Sequence, residues 1–246
     1  MDFLNALILL SNFVIVPSIT YGSQLALGAI GVTLIYGVLR FANFAYGDLM
    51  AFGTMCVILF TWLLKSWGVN LGIFPTALLA LPFGIALTII VSLFFDKTVF
   101  EYYRNKKSSP VTFIVVSLGI MFVLNAVVRI IIGPNDIVFM DGSRFIISAV
   151  DFKEATGLLE GLTIKSTQVI TIITTSLTCF LLFNFLNKTK TGKSMRAYSN
   201  NEDLALLSGI DPKKIILITW IIVSILATIA GTLYGLDKSF KPFTYF

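Results

Sequence analysis

The chain has 246 residues, of which 57% are hydrophobic and 13% charged, and its mean hydropathy is +0.90. Soluble domains carry about 25% charged residues, so most of the surface of this protein must face lipid. The sequence contains no histidine, which excludes Ser-His-Asp triads, Cys-His dyads, HExxH zinc sites and His-ligated haem. Cys56 and Cys179 lie in apolar runs, a setting that predicts neither a disulfide nor a thiolate metal site.

The apolar runs predict an all-α, polytopic bundle of transmembrane helices, each needing about 20 apolar residues to cross the membrane. Residues 3–39 carry no charge, and Pro17-Ser18 near their middle predicts a division into two segments. The first segment is short for a complete crossing, and it lacks the positive region of a cleaved signal peptide. About seven spans are predicted in all: Phe3–Val16, Ile19–Leu39, Leu49–Leu64, Leu71–Phe95, Val111–Ile132, Ser166–Asn187 and Ile215–Leu236.

The distribution of lysine and arginine predicts the orientation of the bundle. Loops 96–110 and 188–214 are rich in basic residues and are predicted to be cytoplasmic, whereas loop 133–165 has more acids than bases and is predicted to be external. Counting seven spans then places the N-terminus in the cytoplasm and the tail after Leu236 outside. We interpret the net charge of +5 as a topology signal, with no nucleic-acid partner.

Small residues recur every four positions in two of the predicted spans. This spacing allows helix backbones to approach closely in lipid, and it predicts packing interfaces within a bundle. The two sets are Ala29, Thr33 and Gly37, and Ala227, Gly231 and Gly235.

The basic loop 188–214 contains the signals of a short helix. Ser199 and Glu202 have the spacing of a capping box, Gly209 provides a helix end, and Asp211-Pro212 begins the next helix. A helix over residues 200–208 has about two turns and is too short to be stable alone. It either packs on its own bundle as a surface helix, or it is a coupling helix on which a soluble partner acts.

The sequence Gly192-Lys193-Ser194 in the same loop is not a phosphate-binding loop. That motif requires a glycine at position 187, where this chain has Asn187, and it follows a strand, which is not predicted here. The chain therefore has no predicted ATP site, and energy for pumping would come from a partner.

The segment between residues 40 and 48 interrupts two apolar runs with Asn43, Gly47 and Asp48. A break of this kind at membrane depth is tolerated where it is buried in protein or lines a cavity. Asp48 pairs with Arg40, caps the helix that starts at Leu49, or contacts a substrate. The first two interpretations, which are structural, are favoured.

Asn125 and Arg129 lie four residues apart on one face of the 111–132 span. Arg129 extends to the membrane interface or contacts a substrate. No Asp, Glu or Lys lies inside the predicted spans, which argues against an ATP-independent transporter driven by protons or ions. A membrane enzyme would need an acid–base pair that the sequence does not provide, and a non-transporting scaffold is a further alternative.

The run Asn43-Phe44-Ala45-Tyr46-Gly47-Asp48, preceded by Tyr36-Gly37-Val38-Leu39-Arg40, resembles the permease subunits of branched-chain amino acid ABC importers. Those subunits carry Asn-Phe-Ala-His-Gly-(Asp/Glu) after a similar segment. Further similarities follow in the same order over residues 20–236: Asp96-Lys97 with Arg104, Leu118-Gly119 with Arg129 and Gly133, Gly192–Ala197 with Ala205 and Gly209-Ile210, and Ala230-Gly231 with Leu233-Tyr234-Gly235.

The chain departs from the family pattern in three places. Tyr46 stands where the family usually has histidine, and Glu101-Tyr102 replaces an Arg-Pro pair. The family continues with further membrane helices beyond the position at which this chain ends, so we expect residues 1–246 to form one permease domain that lacks them.

The resemblance implies a heteromeric importer of the plasma (inner) membrane. Its expected partners are a second related permease subunit, two cytoplasmic ATPase subunits that bind ATP and magnesium, and an extracytoplasmic binding protein. Loop 188–214 is then the coupling loop, with no cofactor or metal in this chain. The implied residues for coupling are Arg196, Ala197, Glu202, Ala205, Gly209 and Ile210, and those supporting the translocation path are Asn43, Gly47 and Asp48.

The substrate class implied is a branched-chain or other aliphatic amino acid. Urea or a short amide is an alternative substrate, and an ATPase-independent transporter or channel is an alternative mechanism.

Overall fold

The computed structural model describes residues 2–69, 71–72, 74–158 and 160–241, and it is an all-α bundle, which confirms the predicted fold class. Within these residues, six helical segments are long and apolar enough to span a membrane. Ile73 of the fourth predicted span and residues 242–246 of the predicted tail lie outside the described residues. The six segments are Phe3–Leu39, Tyr46–Ser66, Ala77–Asn105, Pro110–Ile132, Ser166–Lys188 and Pro212–Lys238.

The first segment joins two predicted spans into one continuous helix. Helix α1 (Asp2–Leu10) passes through a π-helical turn (Ser11–Ile15) into α2 (Val16–Leu39). The helix is not divided at Pro17-Ser18 as predicted. Proline has no amide hydrogen to donate, and the wider π-helical turn just before Pro17 accommodates this without breaking the helix. As a result, the described residues form six candidate spans where about seven were predicted.

Three helices form the centre of the bundle: α3 (Tyr46–Ser66), α4 (Ala77–Phe95) and α11 (Pro212–Lys238). Hydroxyl groups link α4 to α11, with Ser92 Oγ 2.7 Å from Ser224 Oγ and Thr228 donating to Thr88 at 3.0 Å. Such bonds between helices replace part of the hydrophobic driving force that is missing in lipid.

The remaining long helices pack around this centre. Helix α6 (Pro110–Ile132) packs on α3, and α8 (Ser166–Lys188) packs on α2. Helix α4 continues through a second π-helical turn (Asp96–Phe100) into the short α5 (Glu101–Asn105).

One face of the bundle carries loop 133–165, with strands β1 (Phe145–Ile147) and β2 (Ile164–Lys165) antiparallel and helix α7 (Ala149–Thr156) between them. The side chain of Asn12 donates to Gly161 O at 2.8 Å and accepts from Thr163 N at 2.9 Å. The start of the chain therefore lies on the same face as this loop. The prediction of opposite faces depended on the division at Pro17 and does not hold.

The opposite face carries α9 (Lys190–Asn200) and α10 (Glu202–Leu207) where one helix over 200–208 was predicted. The capping-box assignment is wrong, because Ser199 lies inside α9 and the Asn201 side chain caps α10 by accepting from Leu204 N at 3.0 Å. The predicted ends are confirmed: Gly209 has φ +78° after α10, and Asp211 accepts from Lys213 N at 3.0 Å at the start of α11.

Candidate functional site

The break between α2 and α3 lies inside the bundle. Arg40 ends α2 with φ +62°, and the Phe44 amide donates to Ser117 Oγ at 3.2 Å. Ser117 is seven residues into α6, a distance of about 10 Å along the helix. The ring of Phe41 packs between Phe100 and Phe113, with centroid distances of 5.3 and 5.1 Å. Phe41 and Asn43 are thus buried in protein and Phe44 faces the cavity, the two settings in which a non-helical segment is tolerated within a membrane.

A cavity of about 750 Å³ opens beside this break. Its wall is mainly apolar, with neutral polar groups from tyrosine, glutamine and asparagine and, among the described residues, no charged side chain. Asn43 and Gly47 line it, whereas Asp48 does not. The lining residues are Tyr21, Gln24, Leu25, Gly28, Ala29, Val32, Asn43, Phe44, Tyr46, Gly47, Met50, Met121, Ala230 and Tyr234.

Two side chains of the wall are deeply buried. Gln24 is 3% exposed, and its amide nitrogen donates to Leu233 O at 3.4 Å, which ties α2 to α11. Tyr46 is also 3% exposed, and its hydroxyl packs directly against Gly31, where any larger residue would overlap the ring. Within the described residues, Gln24 Oε1 and the Tyr46 hydroxyl have no hydrogen-bond partner.

Asp48 lies behind the cavity and is 1% exposed. Its Oδ1 accepts from Asn125 Nδ2 at 2.9 Å, and the guanidinium of Arg129, one turn further along α6, attracts the carboxylate. Both structural roles predicted for Asp48 are wrong: its contact is with Asn125, not Arg40, and α3 begins after Ala45 with no side-chain cap. Because α3 starts at Tyr46, Asp48 is an acid inside a span, where the sequence predicted none.

The α9–α10 unit (residues 190–207) presents apolar side chains outward. Leu204 is 60% exposed and Leu207 is 85% exposed, on the face of the bundle that carries the basic loops. Sequence reasoning missed these leucines. The sequence did contain an indication, because a six-residue helix with three leucines cannot turn all of them toward one neighbour.

The residues predicted for coupling occupy several environments around this unit. Arg196 and Ala197 are exposed on α9, Ala205 is buried, and Gly209 with the partly buried Ile210 forms the exit turn of α10. The Glu202 carboxylate accepts from the Tyr198 hydroxyl at 2.8 Å. Burial and this carboxylate raise the pKa of Tyr198 above its ordinary value, so its hydroxyl stays protonated and donates at neutral pH.

Gly192 has a packing role in α9. Its backbone lies against Phe185 and Leu186 of α8 so closely that a side chain would overlap them, and Thr189 caps the helix by accepting from Gly192 N at 3.0 Å. The Gly192–Ser194 segment is therefore a helix start at a tight corner between α8 and α9.

A second polar cluster joins Asp96 and Arg104, which the sequence analysis named only as part of the resemblance, to Trp220, which it did not name. Asp96 accepts from Arg104 through both oxygens, at 2.7 and 3.0 Å, and also from Trp220 Nε1 at 2.8 Å. This arrangement fixes α5 to the start of α11, beside the α9–α10 unit. Over the ranges that the structure describes, no three Cys, Asp or Glu side chains come together as a metal site would require.

Comparison with known proteins gives a consistent result. The family profile described as "Branched-chain amino acid transport system / permease component" matches residues 14–246. Among curated proteins, the permease LivH of Salmonella typhimurium is 25% identical over 224 residues, which cover 88% of this chain and 68% of LivH. BraD of Pseudomonas aeruginosa is 27% identical over 229 residues, covering 91% of this chain and 70% of BraD. Both are named as permease proteins of high-affinity branched-chain amino acid transport systems.

An archaeal relative also matches. A probable branched-chain amino acid transport permease protein LivH of Methanocaldococcus jannaschii is 28% identical over 233 residues, covering 92% of this chain and 67% of the relative. No solved structure matches the chain.

Proposed function

The chain belongs to the family of permease components of branched-chain amino acid transport systems, and we propose that it is the membrane-spanning subunit of an ATP-driven importer. In this proposal, ATP and magnesium bind to two separate cytoplasmic ATPase subunits. A second related permease subunit completes the pore, and an extracytoplasmic binding protein delivers the amino acid in the plasma (inner) membrane.

The observation that carries the proposal is the exposure of Leu204 and Leu207 on the α9–α10 unit. An apolar surface next to water usually marks an interaction site. Because the surrounding loops hold the basic residues that favour the cytoplasmic side, the partner that covers these leucines is a soluble cytoplasmic protein. An ATPase subunit with an apolar groove is the partner that an importer requires.

The cavity beside the α2–α3 break supports the choice of substrate. Leu25, Val32 and Phe44 are exposed along its open side, so a second permease subunit can close the path there. The apolar wall suits an aliphatic side chain, while Gln24 and Asn43 offer neutral polar groups to the rest of a small molecule. Gly47 lines the cavity without a side chain to fill it. Asp48, which does not line the cavity, holds this part of α3 against α6 through its hydrogen bond with Asn125.

In the same proposal the start of α1 lies outside, because α1 and α2 form one helix that begins on the face of loop 133–165. This proposal differs from the cytoplasmic N-terminus predicted from the sequence. A reporter enzyme that is active only outside the cytoplasm, fused before Asp2, should be active, and activity of a cytoplasm-dependent reporter at the same position would overturn the assignment.

The test is reconstitution of the chain with its candidate partners in liposomes, measuring ATP-dependent uptake of labelled leucine. Leu207→Gln should lower ATPase capture and uptake about tenfold, the effect of about 1.4 kcal/mol at an interface. Asn200→Gln, an exposed polar position at the end of α9, is the matched control and should leave both unchanged. Equal capture by wild type and Leu207→Gln would exclude this docking surface.

The alternatives give different results in the same assay. Uptake of urea or a short amide in place of leucine would identify the amide permease, which the neutral polar groups of the cavity also accommodate. Uptake that continues without ATP would identify a channel or secondary transporter.

A further inference from the structure

The carboxyl-terminal ends of α2 and α9 cap each other. The Ser199 hydroxyl donates to Gly37 O at 2.8 Å, and the Arg40 guanidinium donates through Nη2 to Ser199 O. The last four carbonyl groups of a helix have no partner inside it. Gly37 and Ser199 are both among the last four residues of their helices, so each helix satisfies a carbonyl of the other.

The contact is closest with a glycine at position 37. A Cβ atom on Gly37 would lie 3.3 Å from Ser199 Oγ, which is tighter than an ordinary contact. We call the set of Gly37, Arg40 and Ser199 the reciprocal cap.

An apolar cluster lies beneath the reciprocal cap and joins the same elements. Val38 of α2 is buried together with Tyr198 of α9 and Ala205 of α10. Met195 and Ile215 complete the cluster. The α9–α10 unit therefore holds the end of α2 through both polar and apolar contacts.

Helix α2 extends from the reciprocal cap into the wall of the cavity. Six of the lining residues lie on α2, and the break that begins at Arg40 adds Asn43 and Phe44. The six are Tyr21, Gln24, Leu25, Gly28, Ala29 and Val32. One continuous helix thus connects the reciprocal cap to the cavity wall.

Helix α11 is the other route from the α9–α10 unit, since it begins directly after it, but its packing opposes movement. Fifteen of the 27 residues of α11 are buried, against six of the 24 residues of α2. Helix α11 is held by α2, α3 and α4, whereas α2 packs on α11 and α8 and has one side facing away from this chain. Within this chain, α2 is therefore the less constrained of the two routes.

We propose that Ser199 and Arg40 are positioning residues that couple the α9–α10 unit to the α2 wall of the cavity. The proposal rests on the proposed function, because it concerns how ATPase action on this unit reaches the substrate path. The reciprocal cap transmits the movement, and docking of the ATPase depends on Leu204 and Leu207 instead.

The first experiment measures coupling in the reconstituted importer. Ser199→Ala should bind the ATPase and hydrolyse ATP as wild type does, while the amount of substrate moved per ATP falls about fivefold, the lower range for a coupling interaction. Arg40→Gln should act in the same direction, and Ser199→Thr, which keeps the hydroxyl, should restore most of the uptake. Ser194→Ala is the matched control, since among the described residues the Ser194 hydroxyl bonds to Lys190 O within its own helix α9 and to no other element.

Two outcomes would overturn the proposal. If Ser199→Ala lowers ATPase capture and uptake equally, the cap only holds the docking surface in shape. If uptake per ATP is unchanged, the cap has no role in coupling.

The second experiment does not depend on the ATPase, so it separates this inference from the proposed function. Spin labels on Val32→Cys of α2 and Met121→Cys of α6 report the width of the cavity in the purified chain. Cys179 is replaced by alanine, and Cys56, 2% exposed, is shielded from labelling. Ser199→Ala should broaden the distance distribution and Ser194→Ala should not. Identical distributions in the two variants would overturn the inference even if the importer assignment holds.

Discussion

Helices α2 and α11 look alike in sequence and differ in their surroundings. Both are long and apolar, and both carry small residues every four positions. In α11 this stripe packs against α3, where a Cβ atom on Gly231 would lie 2.7 Å from Met50 O. In α2, Ala29 and Thr33 are exposed, with Ala29 on the cavity wall, whereas Gly37 at the end of the helix packs against Ser199 of α9. The same pattern therefore serves a fixed centre in one helix and an open cavity wall in the other.

The largest effect is expected from a substitution at the contact between α11 and α3. Gly231→Val places a side chain against the Met50 backbone and Thr54, contacts that cannot relax without separating α11 from α3. We expect the free energy of unfolding to fall by about 3 kcal/mol, the upper range for overpacking, with a lower melting temperature and poor yield in detergent. Ala29→Val, which adds methyl groups on the open side of α2, should melt close to wild type. Similar melting of the two variants would contradict the comparison.

A smaller effect is expected at the tight contact between α2 and α3. Gly31→Ala overlaps the hydroxyl of Tyr46 and should cost about 1–3 kcal/mol in thermal unfolding. Tyr46→Phe removes the closest atom, so the double variant should recover part of the loss. If the two substitutions add independently, the assigned contact between these positions is wrong.

The smallest effect is expected at Asp141, which contacts the end of α3 and the start of α4. Asp141 Oδ1 accepts from Thr76 N at 2.8 Å at the start of α4, and Oδ2 lies 3.3 Å from Lys65 Nζ at the end of α3. Burial raises the pKa of Asp141, but the hydrogen bonds from Thr76 and the charge of Lys65 outweigh it and leave the pKa below its ordinary value.

A lowered pKa in the folded state stabilises the protein above the unfolded pKa of about 3.9, and this stabilisation is lost as the pH falls through the folded value. The melting temperature should therefore decrease when the pH is lowered below about 4. Because the pair is partly exposed, Asp141→Asn should lower the melting temperature at neutral pH by about 1–2 °C. It should also flatten the acid dependence, and parallel curves for variant and wild type would exclude this contribution.

Hydropathy alone was sufficient to locate the long helices. The predicted Val111–Ile132 and Ser166–Asn187 each differ from the observed helix by a single residue at one end. Apolarity is a local property, and it is independent of which neighbour a helix packs against. The start of α3 was placed three residues late, and that shift hid Asp48 from the list of intramembrane acids.

The faces of the helices could not be predicted in the same way. In lipid, both the packed and the open side of a helix are apolar, so the α2 and α11 stripes are indistinguishable by pattern. The contact between Asp48 and Asn125 joins residues 77 positions apart, and the bond from Ser199 to Gly37 spans 162. Ser199 matched a capping box by spacing, yet a distant helix end supplies its partner. Tertiary packing determines these hydrogen-bond partners, and residue spacing along the sequence does not reveal them.

The continuous α1–α2 helix has a consequence for the membrane itself. Its 37 residues extend about 55 Å, well beyond the roughly 30 Å of a hydrocarbon core. A hydrophobic segment longer than the bilayer tilts, or the lipid around it thickens. Because this segment also forms a wall of the cavity, we expect the width of the cavity to vary with the acyl-chain length of the surrounding lipid.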